Sequence, residues 1–168
     1  GTFLKSARSL EFRTPEGRKK AYDNLVKEGV EALVVIGGDG SFTGGLLFNT
    51  EYGFPVIGIP GTIDNDIYGT SHTLGYDTAL NTVVEVIDKI RDTASSHNRL
   101  FLIEVMGRDA GHIALNAGIG AGAEEILIPE EDLGWERLLE SLRKSKASGK
   151  SSSIVVIAEG DKIGKNVF

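Results

Sequence analysis

The sequence predicts an α/β fold built of parallel sheets flanked by helices. Strand-like and helix-like segments alternate along the 168 residues, the pattern of linked strand–helix–strand units. The strand-like segments are continuously apolar, as strands buried on both faces are. The loops that follow them are rich in glycine and acid, at the strand ends where open α/β sheets bind ligands.

Each element has a local reason. Thr14-Pro15-Glu16 starts a helix: a capping hydroxyl, proline at the first position and an acid in the first turn. Leu25 and Val26 give it an apolar face, and Gly29 suits its stop. Residues 32–36 form a buried strand ending in Gly37-Gly38, and a short helix starts near Ser41. Residues 55–59 form the next strand, ending in Pro60-Gly61. Residues 76–95 are the clearest helix. Leu80, Val83, Val84, Ile87 and Ile90 share one face, with Glu85, Asp88 and Arg91 opposite. Strands follow at 100–106, 126–128 and 154–158, with helices near 109–118 and 134–147. The polar stretch 144–153 reads as a helix end and loop.

Composition bounds the function. The chain is 40% hydrophobic and 25% charged, enough for a core and too apolar for disorder. A net charge of -6 argues against a nucleic-acid surface. A protein of this charge binds phosphates locally, through backbone amides, a few arginines and a metal. There are no cysteines, hence no disulfides, which fits a cytoplasmic location. No apolar run approaches a membrane span, and no signal peptide or N-glycosylation acceptor is present. The chain opens on Gly1 and stops at Val167-Phe168, so it reads as a piece of something longer.

Four loops carry chemistry. In Pro60-Gly-Thr-Ile-Asp-Asn-Asp66, a hydroxyl and two carboxylates follow an apolar strand. Two carboxylates in one loop at a strand end can take separate jobs, Asp64 and Asp66 serving as a base and as a metal-linked acid. A polar loop capping a strand is the plainer alternative. Gly37–Ser41, GGDGS, lets backbone amides approach a phosphate, and Asp39 then implies Mg²⁺ between the charges. It is neither a Walker A loop nor G-x-G-x-x-G. Arg108 is placed to clamp a phosphate or to pair with Asp109 or a nearby glutamate. Glu159 can accept sugar hydroxyls or cap a helix. His72, His97 and His112 have no metal-ligand spacing and are read as structural or surface, and Trp135 as packing.

GGDGS at 37–41, PGTIDND at 60–66, EVMGRDAG at 104–111 and EGD at 159–161, in this order, resemble the ATP-dependent 6-phosphofructokinases of bacterial type. The resemblance extends to residues 3–8 and 92–99. It implies phosphorylation of fructose 6-phosphate by MgATP. It also implies two Rossmann-like three-layer domains, both incomplete here: residues 1–75 on the nucleotide side and 76–168 on the sugar-phosphate side. Family subunits are about twice as long, so a first strand, a glycine-rich nucleotide loop and a C-terminal part are expected to be missing, and the active site to be incomplete.

By the same resemblance Asp64 is the base toward the sugar 1-hydroxyl, Thr62 and Ile63 contact substrate, and Asp39 and Asp66 are the Mg²⁺-linked acids. Gly38, Asp39, Gly40 and Ser41 match the nucleotide-phosphate loop, and Arg8 and Ser9 a second nucleotide contact. Met106, Gly107, Arg108 and Glu159 match the sugar-phosphate site, with Arg108 also neutralising transition-state charge. Arg99 resembles an arginine donated to a neighbouring subunit of a homotetramer. Arg91, Gly122, Ala123, Glu124, Lys150, Ser151 and Ser152 match the effector site for ADP or phosphoenolpyruvate, although Ser148 stands where a lysine often occurs. Pyrophosphate-dependent relatives carry an acid where Gly40 stands and a lysine where Gly61 stands, so the donor is expected to be ATP. The alternatives are a non-catalytic nucleotide- or phosphate-binding relative, a pyrophosphate-dependent enzyme, and a lipid or NAD kinase of the wider superfamily.

Overall fold

A computed structural model describes residue 3, residues 7–97 and residues 99–164, with residues 95 and 97 described in backbone only. Residues 4–6 and 98 of the two flanking matches, and the side chain of His97, lie outside the described residues. The elements are α1 (Pro15–Lys27), β1 (Leu33–Gly37), α2 (Asp39–Tyr52), β2 (Val56–Pro60), α3 (Tyr76–His97), β3 (Leu100–Val105), α4 (His112–Gly120), β4 (Glu125–Leu127), α5 (Gly134–Ala147) and β5 (Ser153–Ala158). A 3₁₀ turn, Glu11–Arg13, precedes α1. The sequence carried no periodic signal for it.

Two compact units result, residues 1–61 and 62–168. The division falls before the loop 62–75. That loop belongs to the second unit because Ile63 packs in its core, and the Gly75 amide donates to the Thr62 carbonyl at 3.2 Å.

In the first unit β1 and β2 pair in parallel, Leu33 opposite Val56 and Gly37 opposite Pro60. Pro60 ends its strand, where the missing amide does least harm. α2 lies on the Val56 face: a Cβ on Gly45 would stand 3.0 Å from Val56 Cγ1, and one on Gly58 2.8 Å from Phe42. The core is aromatic, with Phe48 against Phe12, Tyr22, Tyr52 and Phe54. Arg18, 6% exposed, reaches across to Glu51 with two bonds of 2.7 and 2.6 Å. Val26 faces outward, since Tyr22 and Arg18 take the inner side of α1. On the other face of the strand pair Val34, Ile36 and Ile57 are exposed, so among the described residues this sheet is covered on one side.

The second unit reaches three layers. Its sheet runs β3-β5-β4, all parallel. Ile154, Val156 and Ala158 of β5 pack with Ile87 of α3 and Ile113 and Ala114 of α4. Val155 and Ile157 point the other way, onto Leu138 of α5. This period of two, apolar on both faces, is why β5 reads as an unbroken hydrophobic run.

Candidate functional site

Adjacent parallel strands set the geometry. Val105 pairs with Ala158, so the loops leaving β3 and β5 emerge side by side. Glu159 Oε1 accepts the amides of Gly107 at 3.1 Å and Arg108 at 2.5 Å. One carboxylate oxygen therefore shapes the whole turn. Gly107 has φ +144° and Arg108 φ +54°, and the Ala110 amide closes the turn on the Gly107 carbonyl. A non-glycine residue at positive φ is held there by its surroundings and is a marker of functional sites. Because 107–111 is a turn, α4 begins at His112 rather than at 109.

Glycines permit this crowding. A Cβ on Gly160 would lie 2.3 Å from the Arg108 carbonyl oxygen. Gly111 donates to Glu130 at 2.8 Å, an anchor the sequence did not disclose. Asp161 is buried and accepts the amides of Ile163 and Gly164, so its role is to cap the chain after β5.

Asp64 is 7% exposed. Its amide donates to the Thr62 hydroxyl at 3.1 Å, and its carboxylate meets Arg108 Nε at 3.5 Å. Arg108 thus pairs with Asp64, not with the expected Asp109 or a glutamate. Burial, then the charge of Asp66, push the Asp64 carboxyl above the ordinary aspartate value. Arg108 and the Thr62 hydroxyl pull it back, and Glu159 adds to the rise. A raised carboxyl is a better proton acceptor, as a general base needs. Between the two acids sits Asn65 at φ +57°. Its side chain accepts from the Thr73 amide at 2.9 Å and donates to the Ser71 carbonyl at 3.4 Å, clasping the loop. Asparagine tolerates this backbone better than other non-glycine residues, which was the available signal.

Asp64 and Asp66 repel, and a divalent ion would relieve that. Among the described residues no group of three or more His, Cys, Asp or Glu is placed to hold a metal. The carboxylate pair, in which the charge of Asp66 raises Asp64, is of the kind Mg²⁺ takes, one or two carboxylates with phosphate and water completing the shell.

In the first unit GGDGS is not a loop but the start of α2. Gly38 is the N-cap, and Asp39, Gly40 and Ser41 form the first turn. The Ser41 and Phe42 amides fold back onto the Gly38 carbonyl. Glycine lacks the side chain that would have signalled a cap, hence the later start expected from sequence. A Cβ on Gly40 meets nothing within 4 Å, whereas one on Gly61 would stand 2.7 Å from Ile36 Cγ2. Arg8 is exposed, and the Ser9 hydroxyl accepts the Phe12 amide at 3.2 Å.

The expected effector residues form two groups. Arg91 is half-buried rather than facing solvent, because its long side chain reaches the carbonyls of Ala121 and Gly122 at the end of α4. Glu124 pairs with Lys150 at 3.1 Å and accepts the Ile154 amide at 2.6 Å. Lys150, Ser151 and Ser152 line an open depression with Arg99 and Lys146. Burial pulls the Glu124 carboxyl up, but the Ile154 amide and Lys150 outweigh it and hold it below the usual glutamate range. A depressed carboxyl contributes stability above its unfolded pKa and loses it as pH falls through the folded value. Glu124→Gln is therefore expected to cost about 1 kcal/mol at neutral pH. In thermal melts the deficit should shrink as pH falls below the ordinary glutamate value of about 4.3. A deficit that persists there would remove the charge as its cause.

Among the described residues no helix is long and apolar enough to cross a membrane. The family profile described as Phosphofructokinase matches residues 1–167. ATP-dependent 6-phosphofructokinase 2 of Bacteroides thetaiotaomicron is 57% identical over 164 residues, 98% of this chain and 50% of that protein. ATP-dependent 6-phosphofructokinase 1 of Thermus thermophilus is 59% identical over 160 residues, again with 50% of its length covered. The chain thus spans about half the length of these relatives. Among solved structures, phosphofructokinase from Saccharomyces cerevisiae superposes with TM-score 0.87 at 40% identity, covering 96% of this chain and 25% of that one. A pyrophosphate-dependent phosphofructokinase from Marinobacter aquaeolei gives 0.73 at 26% identity, covering 96% and 43%.

Proposed function

Since this chain belongs to the phosphofructokinase family, we propose that the protein carrying it transfers the γ-phosphoryl group of ATP to the 1-hydroxyl of fructose 6-phosphate. The observation that carries this is the buried Asp64 carboxylate beside Arg108, at the ends of parallel strands. Asp64 takes the proton of the sugar 1-hydroxyl. The new bond forms between that oxygen and the γ-phosphorus, the bond to the β–γ bridging oxygen breaks, and ADP leaves. Arg108 stabilises charge on the transferring group, while Thr62 and Ile63 line the acceptor side. Met106, Gly107 and Glu159 shape the sugar-phosphate site. The amides of Gly38, Asp39 and Gly40 and the Ser41 hydroxyl, with Arg8 and Ser9, hold the nucleotide phosphates. By the family resemblance Asp39 and Asp66 are the acids that would hold Mg²⁺, which would supply charge neutralisation to the phosphates. Phosphoryl transfer depends mostly on positioning and charge stabilisation of this kind.

ATP is favoured as donor by the open space at Gly40, where an acid would meet the nucleotide phosphates. The 57–59% identity to ATP-dependent relatives, against 26% to a pyrophosphate-dependent one, points the same way. A full-length protein carrying this segment should turn over faster with ATP than with pyrophosphate at saturating Mg²⁺ in a coupled assay. The reverse order would overturn the donor assignment. The same reading takes the protein to be a cytoplasmic homotetramer, with ADP or phosphoenolpyruvate acting at Arg91, Gly122, Ala123, Glu124, Lys150, Ser151 and Ser152, and Arg99 reaching a neighbouring subunit's substrate.

A further inference from the structure

Tyr76 opens α3 and is 4% exposed. Its hydroxyl donates to the His112 carbonyl at 3.1 Å and accepts from Asn116 Nδ2 at 2.7 Å. Asn116 Nδ2 also donates to the His112 carbonyl at 3.0 Å, closing a triangle between two helices. On one side the Tyr76 amide donates to the Thr73 carbonyl at 3.2 Å, so Tyr76 ends the loop that carries Asp64. On the other, His112 is the first residue of α4, directly after the turn that holds Arg108. Packing alone does not call for the hydroxyl, since phenylalanine would bury the same ring. A buried hydroxyl is costly unless it is hydrogen-bonded, and this one is bonded to the helix that follows the Arg108 turn.

We propose that the Tyr76 hydroxyl, with Asn116, is a strut that holds the Asp64 loop and the Arg108 turn at their working separation, which makes Tyr76 a positioning residue for phosphoryl transfer. This deepens the function proposed above and rests on it. The Asp64–Arg108 contact is 3.5 Å with Arg108 55% exposed, too weak to hold the two segments in register. A misplacement of about 1 Å can cost about 10²-fold in rate, so a fixed strut between them has a kinetic purpose.

The test uses Tyr76→Phe, Asn116→Ala and the double variant in a full-length protein. Tyr76→Phe should lower kcat about tenfold with KM for fructose 6-phosphate within about twofold. The double variant should fall no more than about twofold below the worse single one, because both act through one strut. Asn116 Nδ2 keeps its bond to His112 in Tyr76→Phe, so no buried donor is orphaned and Tm should hardly move. Independently of catalysis, amide exchange in residues 62–75 and 106–112 should quicken about tenfold, with β5 unchanged. An unchanged kcat, losses that multiply in the double variant, or unchanged exchange in both segments would overturn the strut. Absence of ATP-dependent phosphorylation in the unsubstituted protein would instead sink the proposed function, and the exchange result would still decide the strut.

Discussion

Asp64→Ser in a full-length protein is expected to lower kcat by at least about 10²-fold, with KM for the sugar changed far less, because loss of a general base typically costs about 10²–10⁴-fold. The carboxylate is buried and pushed up by burial and by Asp66, and the residue's backbone amide is fixed by the Thr62 hydroxyl. Serine keeps a small polar group in the same place but has no useful basicity. Folding should survive, since the partner lost, Arg108, is more than half exposed and can hydrate. Steady-state kinetics with a matched circular-dichroism melt separates the two effects. Retention of more than half the wild-type kcat would remove Asp64 from this role.

Gly160→Ala should act through the backbone instead. Its Cβ would stand 2.3 Å from the Arg108 carbonyl oxygen and 3.1 Å from Asp109 Cα, contacts that no side-chain rotation relieves. Either β5's loop or the Arg108 turn must move, and overpacking of this kind costs about 1–3 kcal/mol. Because Glu159 holds that same turn by two amides, the displacement reaches Arg108 and activity falls with stability. Gly40→Ala is the contrast: its Cβ meets nothing within 4 Å, so stability should stay within about 0.5 kcal/mol. Urea unfolding of both variants decides it, and equal midpoints would refute the clash.

What the sequence disclosed follows from how local each signal is. β5 and α3 were legible because their apolar patterns are continuous and periodic over a full element. The start of α2 was not, because Gly38 caps a helix without any side chain. The turn at 107–111 was hidden because its shape comes from Glu159, which lies 52 residues from Gly107 in the chain. The site's acids were visible as PGTIDND, yet the pairing of Arg108 with Asp64 over Asp109 joins residues 44 places apart and shows only in the folded chain. Tyr76 and Asn116 read as ordinary helix residues, since a hydrogen bond between two helices leaves no trace in either.

The clasp at Asn65 has a consequence for exchanging parts between relatives. Thr62 is tied to Gly75 by backbone, and Asn65 to Ser71 and Thr73 by side chain. The segment from Thr62 to Tyr76 therefore behaves as one cassette, its two acids positioned by ties that reach as far as Gly75. A chimera with its crossover inside it would inherit the acids from one parent and their geometry from the other. Crossovers placed before Thr62 or after Tyr76 would carry both together.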